Sequence, residues 1–144
     1  MSEQPRTFLC FDFGTKRIGI AVGQELTRTA TALVTLNNPD GGPDWANITR
    51  LIEEWRPDAL VVGLPLYLDG NESESSRLAR RFGNRLAGRY NLPVFTADER
   101  LSSSEAEAIL ASQGRYEKAD IDKLAAQLIL QSWLEAQTTE NQQP

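Results

Sequence analysis

Three carboxylates, far apart in the chain, have the chemical type and setting to act together: Asp12, Glu99 and Asp122. Asp12 stands near the end of Phe8-Leu-Cys-Phe-Asp-Phe-Gly14, an apolar, aromatic-rich run of the kind that forms a buried strand. A carboxylate there costs several kcal/mol, in rough terms, unless a cation or hydrogen-bond donors meet it. It could instead accept bonds from its own turn, as aspartates often do. Asp98-Glu99-Arg100 follows a short apolar run, where Asp98 also reads as an ordinary surface charge and either acid could be the second ligand. At roughly 100° per residue, Asp122 falls on the side of a helix that carries Ala125, Ile129 and Trp133. The helix dipole alone would also favour an acid in that first turn. Three such groups meeting at one sheet edge repel each other, so a metal ion or a proton must compensate. A hard divalent ion, Mg²⁺ or Mn²⁺, suits oxygen ligands. Two such ions about 3.5–4 Å apart would activate a water and stabilise a leaving oxygen in phosphodiester cleavage.

The chain of 144 residues contains no histidine, which removes the commonest general base, the usual zinc ligand and every Ser-His or Cys-His nucleophile pair. Carboxylates, Lys, Ser/Thr or an oxygen-bound metal must then carry any catalysis. With 15 basic against 20 acidic residues the net charge is −5, which argues against coating nucleic acid by bulk charge but leaves room for a local basic face. The single cysteine, Cys10, lies in the first apolar run and allows no intrachain disulfide. No apolar run reaches membrane-spanning length and no signal-peptide core opens the chain, so the expectation is a cytoplasmic protein with no membrane partner. Its length suits one domain over 1–144 that buries about 68–70% of its unfolded surface.

The elements that must position these acids follow in order. After a frayed end at 1–5, Phe8–Gly14 and Ile18–Val22 form a hairpin with Asp12 at its mouth, and Thr29–Leu36 a third strand. The cluster Asn37–Pro43 is a turn, and Asp44 caps a helix whose Trp45, Ile48, Ile52 and Trp55 share a side until Pro57. Ala59–Leu64 is a strand covered on both faces. A loop over 65–76, with a turn at Asp69-Gly70, leads to a helix striped by Leu78, Phe82, Leu86 and Tyr90. A strand at Leu92–Thr96 follows, then a helix opened by Ser102 and Glu105 and ended by Gly114. The last helix spans about Asp120 to Ala136, with Asp120 as N-cap, and 137–144 is a polar, disordered tail. Strands joined by short loops pair antiparallel, and strands joined through helices pair parallel. The predicted fold is therefore α/β: a mixed five-stranded sheet, a three-strand meander plus two parallel strands, with helices on both faces. Ligands in such sheets gather at the carboxyl ends of the strands.

Residues 75–100 hold six arginines against two acids. Arg77, Arg81, Arg85 and Arg89 recur every four residues along one helix, and Arg100 follows Glu99. The stripe reads either as a solvated face or as a path leading a polyanion to the carboxylates, helped by Lys16 and Arg17 beside Asp12.

Taken together, Phe11–Gly23, Val62-Gly-Leu-Pro-Leu66 with Asp69-Gly70, Asp98-Glu-Arg-Leu-Ser-Ser103 and Ile121-Asp-Lys-Leu-Ala-Ala126 resemble the YqgF/RuvX family in order along nearly the whole chain. The resemblance implies an RNase H-like fold related to Holliday-junction resolvases. It implies a metal-dependent nuclease that matures the 5′ end of the 16S ribosomal RNA precursor, with Asp12, Glu99 and Asp122 as the metal-binding acids. Pre-rRNA, branched nucleic acid or a ribosomal subunit precursor would be the partner. Two other readings stand beside it: an RNA-binding assembly module without catalysis, and an ATPase, since Asp12-Phe-Gly-Thr15 resembles the first phosphate loop of the actin and sugar-kinase ATPases. Those ATPases need two such domains around the nucleotide. The sequence leaves the oligomeric state open.

Overall fold

The computed structural model describes residues 5–39, 42–64, 74–98 and 102–141, with the side chains of 105–137 in the last of these stretches. Residues 1–4 of the end expected to fray, the turn expected at Asp69-Gly70, Glu99 and Arg100 therefore lie outside the described residues.

Five strands form one sheet in the order β3-β2-β1-β4-β5: β1 Thr7–Phe13, β2 Arg17–Gln24, β3 Thr29–Asn37, β4 Ala59–Leu64 and β5 Val94–Asp98. β1, β2 and β3 pair antiparallel, while β4 runs parallel to β1 and β5 parallel to β4. This is the predicted mixed sheet. The β2–β3 register slips between Ile20 and Ala21, leaving a bulge that bends the edge strand.

Alternation along β1 divides the core in two. Leu9 and Phe11 face helices α1 (Trp45–Trp55) and α2 (Glu74–Tyr90), packing with Ile48, Phe82 and Leu86. Phe8 and Cys10 face helix α4 (Lys118–Asn141), packing with Ala126, Ile129 and Leu130. Helix α3 (Ser102–Gln113) lies against α4 and buries Ala106. Asp44 caps α1 as predicted, accepting a bond from Asn47 N at 3.2 Å. Arg56 and Asn91 take left-handed conformations immediately after α1 and α2, donating back to Ile52 O and Ala87 O.

Three expectations need correction. β5 begins at Val94, two residues later than predicted, where its ladder opens with Leu60 N donating to the carbonyl of Pro93, and it runs on to Asp98, two residues past the predicted end. Asp98 is thus paired within the sheet, opposite Leu64, and is not a loop residue. Asp120 is not the N-cap of α4. It sits one turn inside and its carboxylate accepts from Glu117 N at 3.0 Å, the reciprocal half of a capping box. Finally, α4 continues to Asn141, into the stretch expected to be a tail.

Candidate nucleic-acid interface and acidic site

The carboxyl ends of β1, β3, β4 and β5 lie at one edge of the sheet, where the starts of α1 and α4 also arrive. Thr35 at the end of β3 donates to Ala119 O in the first turn of α4 at 2.6 Å. Helix N-termini carry partial positive charge, so this edge favours anions.

Asp12 and Gly19 are directly paired in the β1–β2 ladder, and their side-chain positions share the α4 face. Gly19 is what lets α4 approach: a Cβ there would lie 2.0 Å from the carbonyl oxygen of Asp122. The helix backbone therefore rests on the bare backbone of β2, bringing Asp122 beside the residue opposite Asp12. Both aspartates are half-buried. Gly19 carries no chemistry that marks it in the sequence, but the pattern around it does: in Ile18-Gly-Ile-Ala-Val-Gly23 every second residue is small, so one face of β2 is nearly flat. Gly23 uses the same flatness two to three turns further along α4, against Leu130 and Leu134.

Asp122 is held from the hairpin as well. Arg17 Nε donates to Asp122 Oδ2 at 2.5 Å, with the two side chains 33% and 22% exposed. Arg17, expected beside Asp12 as a contact for a polyanion, thus has one of its donors engaged by an acid of the site. Lys16, its neighbour, is exposed. The turn between them is tied down by Gly14 N to Arg17 O at 2.9 Å, Asn38 N to Lys16 O at 2.8 Å and Asn38 Nδ2 to Gly14 O at 2.6 Å.

Among the described residues no group of three acids is gathered as a metal site. Glu99 lies outside them. In β5, Phe95 meets Trp133 of α4 and Ala97 packs in the same layer, so the odd-numbered positions of that strand face α4. The donor set that is described fits a hard cation: two carboxylates on one face of the sheet, no imidazole, and a guanidinium already serving as a counter-charge to one of them.

The arginine stripe does not run to this face. α2 packs on the opposite side of the sheet, and its arginines divide by environment. Arg77 pairs with Glu74 at 2.6 Å on an open surface, which raises its pKa through that carboxylate's hydrogen bond. The guanidinium groups of Arg85 and Arg89 lie 5.0 and 4.0 Å from the centroid of the Trp45 ring. Arg81 and Arg85 line a cavity that reaches Phe13 and Thr15 at the hairpin mouth.

Similarity to known proteins agrees with this architecture. The Thermus thermophilus RuvC structure superposes with a TM-score of 0.54 at 16% identity, over 92% of this chain and 96% of that one. The fowlpox virus Holliday junction resolvase gives 0.55 at 16% identity, over 90% and 99%. The fold is thus the RNase H-like fold of RuvC-type resolvases. Residues 6–136 match the family model described as "RuvX: Holliday junction resolvase", and the chain belongs to that family. A relative from Pseudomonas putida is 52% identical over 137 residues, covering 92% of this chain and 97% of its own. One from Azotobacter vinelandii is 50% identical over 133 residues, covering 90% and 94%. Both carry the name "Putative pre-16S rRNA nuclease". No helix among the described residues is long and apolar enough to cross a membrane.

Proposed function

We propose that this chain is a metal-dependent endonuclease that cleaves a phosphodiester bond in the maturation of the 16S rRNA precursor. The observation that carries the reading is the seating of Asp122 on Gly19, directly across from Asp12, at the anion-favouring edge of the sheet. The roughly 50% identical relatives named as pre-16S rRNA nucleases supply the substrate.

Asp12 and Asp122, with Glu99 as the third acid, would hold Mg²⁺ or Mn²⁺, in a pair of ions. Such ions supply Lewis-acid chemistry, generating a hydroxide nucleophile and offsetting charge on the leaving oxygen. The chain's own residues do the positioning. The β1–β2 pairing fixes the height of Asp12, and the Gly19 contact fixes that of Asp122. Arg17 keeps the Asp122 carboxylate oriented and neutralised when no other cation faces it. Lys16, exposed on the turn, would meet substrate phosphates as a point charge, and Arg100, next to Glu99 in sequence, would do so as a fork.

The test is to incubate purified protein with ribosomal precursor and, separately, with a four-way DNA junction, with and without Mn²⁺, alongside Asp12→Asn. Cleavage of the precursor that needs the ion and is lost in Asp12→Asn is the expected result. Cleavage of the junction alone would shift the substrate to branched DNA. Metal-independent RNA affinity without cleavage would make the protein an assembly module.

A further inference from the structure

Consecutive side chains of β1 point to opposite faces of the sheet. Asp12 therefore addresses α4, and Phe13, one peptide further on, addresses α1 and α2. On that second face Phe13, Leu78 and Phe82 form an apolar wall of a cavity of about 290 Å³, with Thr15 of the hairpin turn among its lining residues. Arg81 and Arg85 line it too, as do Asn38, Pro39, Gly42 and Pro43. Among the described residues no carboxylate pairs with either arginine, in contrast to Arg77 one turn earlier. Arg85 is also pre-set: its guanidinium lies 5.0 Å from the Trp45 ring centroid, which restrains the side chain while its in-plane N–H donors stay available for an oxyanion.

A cavity with one aromatic and aliphatic wall and two guanidinium groups that no described carboxylate neutralises selects a ligand that is flat and apolar at one end and anionic at the other. Its volume lies at the low end of the roughly 300–1,000 Å³ typical of small-ligand sites, room for one such unit and not for a stacked duplex. It also opens at the hairpin mouth, on the far side of the strand end that carries Asp12. We propose that it receives one unpaired nucleotide of a single strand, with the phosphate on Arg81 and Arg85 and the base against Phe13 and Leu78. The strand would then cross the end of β1 with adjoining nucleotides on its two faces. This rests on the nuclease reading only for the direction in which the strand continues.

The test is a binding measurement in EDTA, so that cleavage plays no part. A short single-stranded RNA carrying one 4-thiouridine is crosslinked by near-ultraviolet light, and the attachment is mapped by mass spectrometry. The crosslink is expected on the peptides containing Phe13 or Leu78–Phe82. In a salt series, Arg81→Ala/Arg85→Ala should lower the slope of log K against log salt by about 1.4, at roughly 0.7 per single-strand phosphate contact. Arg77→Ala, already paired with Glu74, should leave the slope as it is. An abasic strand should bind the wild-type protein about fivefold or more weakly than the same strand with bases. All three arginines are exposed, so these variants are expected to fold, and their melting temperatures check it. Crosslinks found only elsewhere, an unchanged slope in the double variant, or equal competition by an oligoglutamate peptide would each overturn the proposal. Correct crosslinks without any cleavage activity would sink only the nuclease reading, while cleavage with a wild-type slope in the double variant would sink only the cavity.

Discussion

Arg17 and Asp122 lie 105 positions apart in sequence and form a close ion pair, at 2.5 Å. If a divalent ion shares Asp122, the guanidinium and the ion compete for the same carboxylate. Arg17→Gln is therefore expected to bind Mn²⁺ more tightly in calorimetric titration, while the metal-free protein melts a few degrees lower. Pairs of this partly exposed kind are worth about 0.2–1 kcal/mol, and a chain of this size loses about 2–4 °C per kcal/mol. Weaker Mn²⁺ binding in the variant would show instead that Arg17 positions the acid for the ion. Of the individual residues, Asp12 and Asp122 were legible because a carboxylate embedded in an apolar run or stripe is costly and so draws notice. The partnership with Arg17 was not, because nothing local to the hairpin says which of Lys16 and Arg17 turns toward a helix a hundred residues away.

Among the elements, α4 depends on side chains that are missing as much as on those present. Gly19→Ala would place a methyl 2.0 Å from a helix carbonyl that has no rotamer to escape into. Overpacking of this sort costs about 1–3 kcal/mol and occasionally more, so thermal melting should fall by several degrees and Mn²⁺ affinity with it. Gly88→Ala is the contrast: nothing lies within 4 Å of a Cβ there, and the helical position should gain about 0.5–1 kcal/mol. The reverse device appears at the sheet edge. Gln127 and Gln131, legible only as the polar side of α4, accept from the free N–H groups of Ala32 and Ala30 on β3 at 3.1 and 2.9 Å. They cover an edge that could otherwise pair with another chain. Element order and type were readable from period and turn chemistry, since β4 came out at its predicted bounds and the hairpin at nearly its own. The start of β5 was misplaced because Pro93 reads as a strand residue in sequence, yet it lacks the N–H that would let the ladder begin earlier. The side of the sheet taken by the arginine helix could not be read either, because periodicity gives a helix a face but not a layer.

For the molecule as a whole, the absence of histidine leaves no imidazole titration to shape stability between pH 5 and 8. Glu25 contributes to the acid limb. Arg6 donates from Nε, Nη2 and its own amide to the carboxylate of Glu25, joining the start of β1 to the end of β2. Those side-chain bonds from Arg6 hold the Glu25 pKa below its usual value, against the opposing effect of burial. A depressed folded pKa means the stabilisation is fully present above the unfolded value of about 4.3 and is lost as pH falls through the lower folded one. Wild type should thus melt above Glu25→Gln near neutral pH by no more than the modest amount of a solvent-screened pair, and the two curves should merge in acid. An equal gap at all pH values would mean that Glu25 acts through packing alone. The joining of Asp122 to Gly19 has a further consequence for how the protein is made. Residue 19 leaves the ribosome long before residue 122, and at about 5–20 residues per second the hairpin waits several seconds for its helix. Until then a nascent chain holds Asp12 but neither Asp122 nor the surface that aligns the two. On the nuclease reading, a nascent chain cannot cut RNA until residue 122 has emerged and α4 has settled on β2.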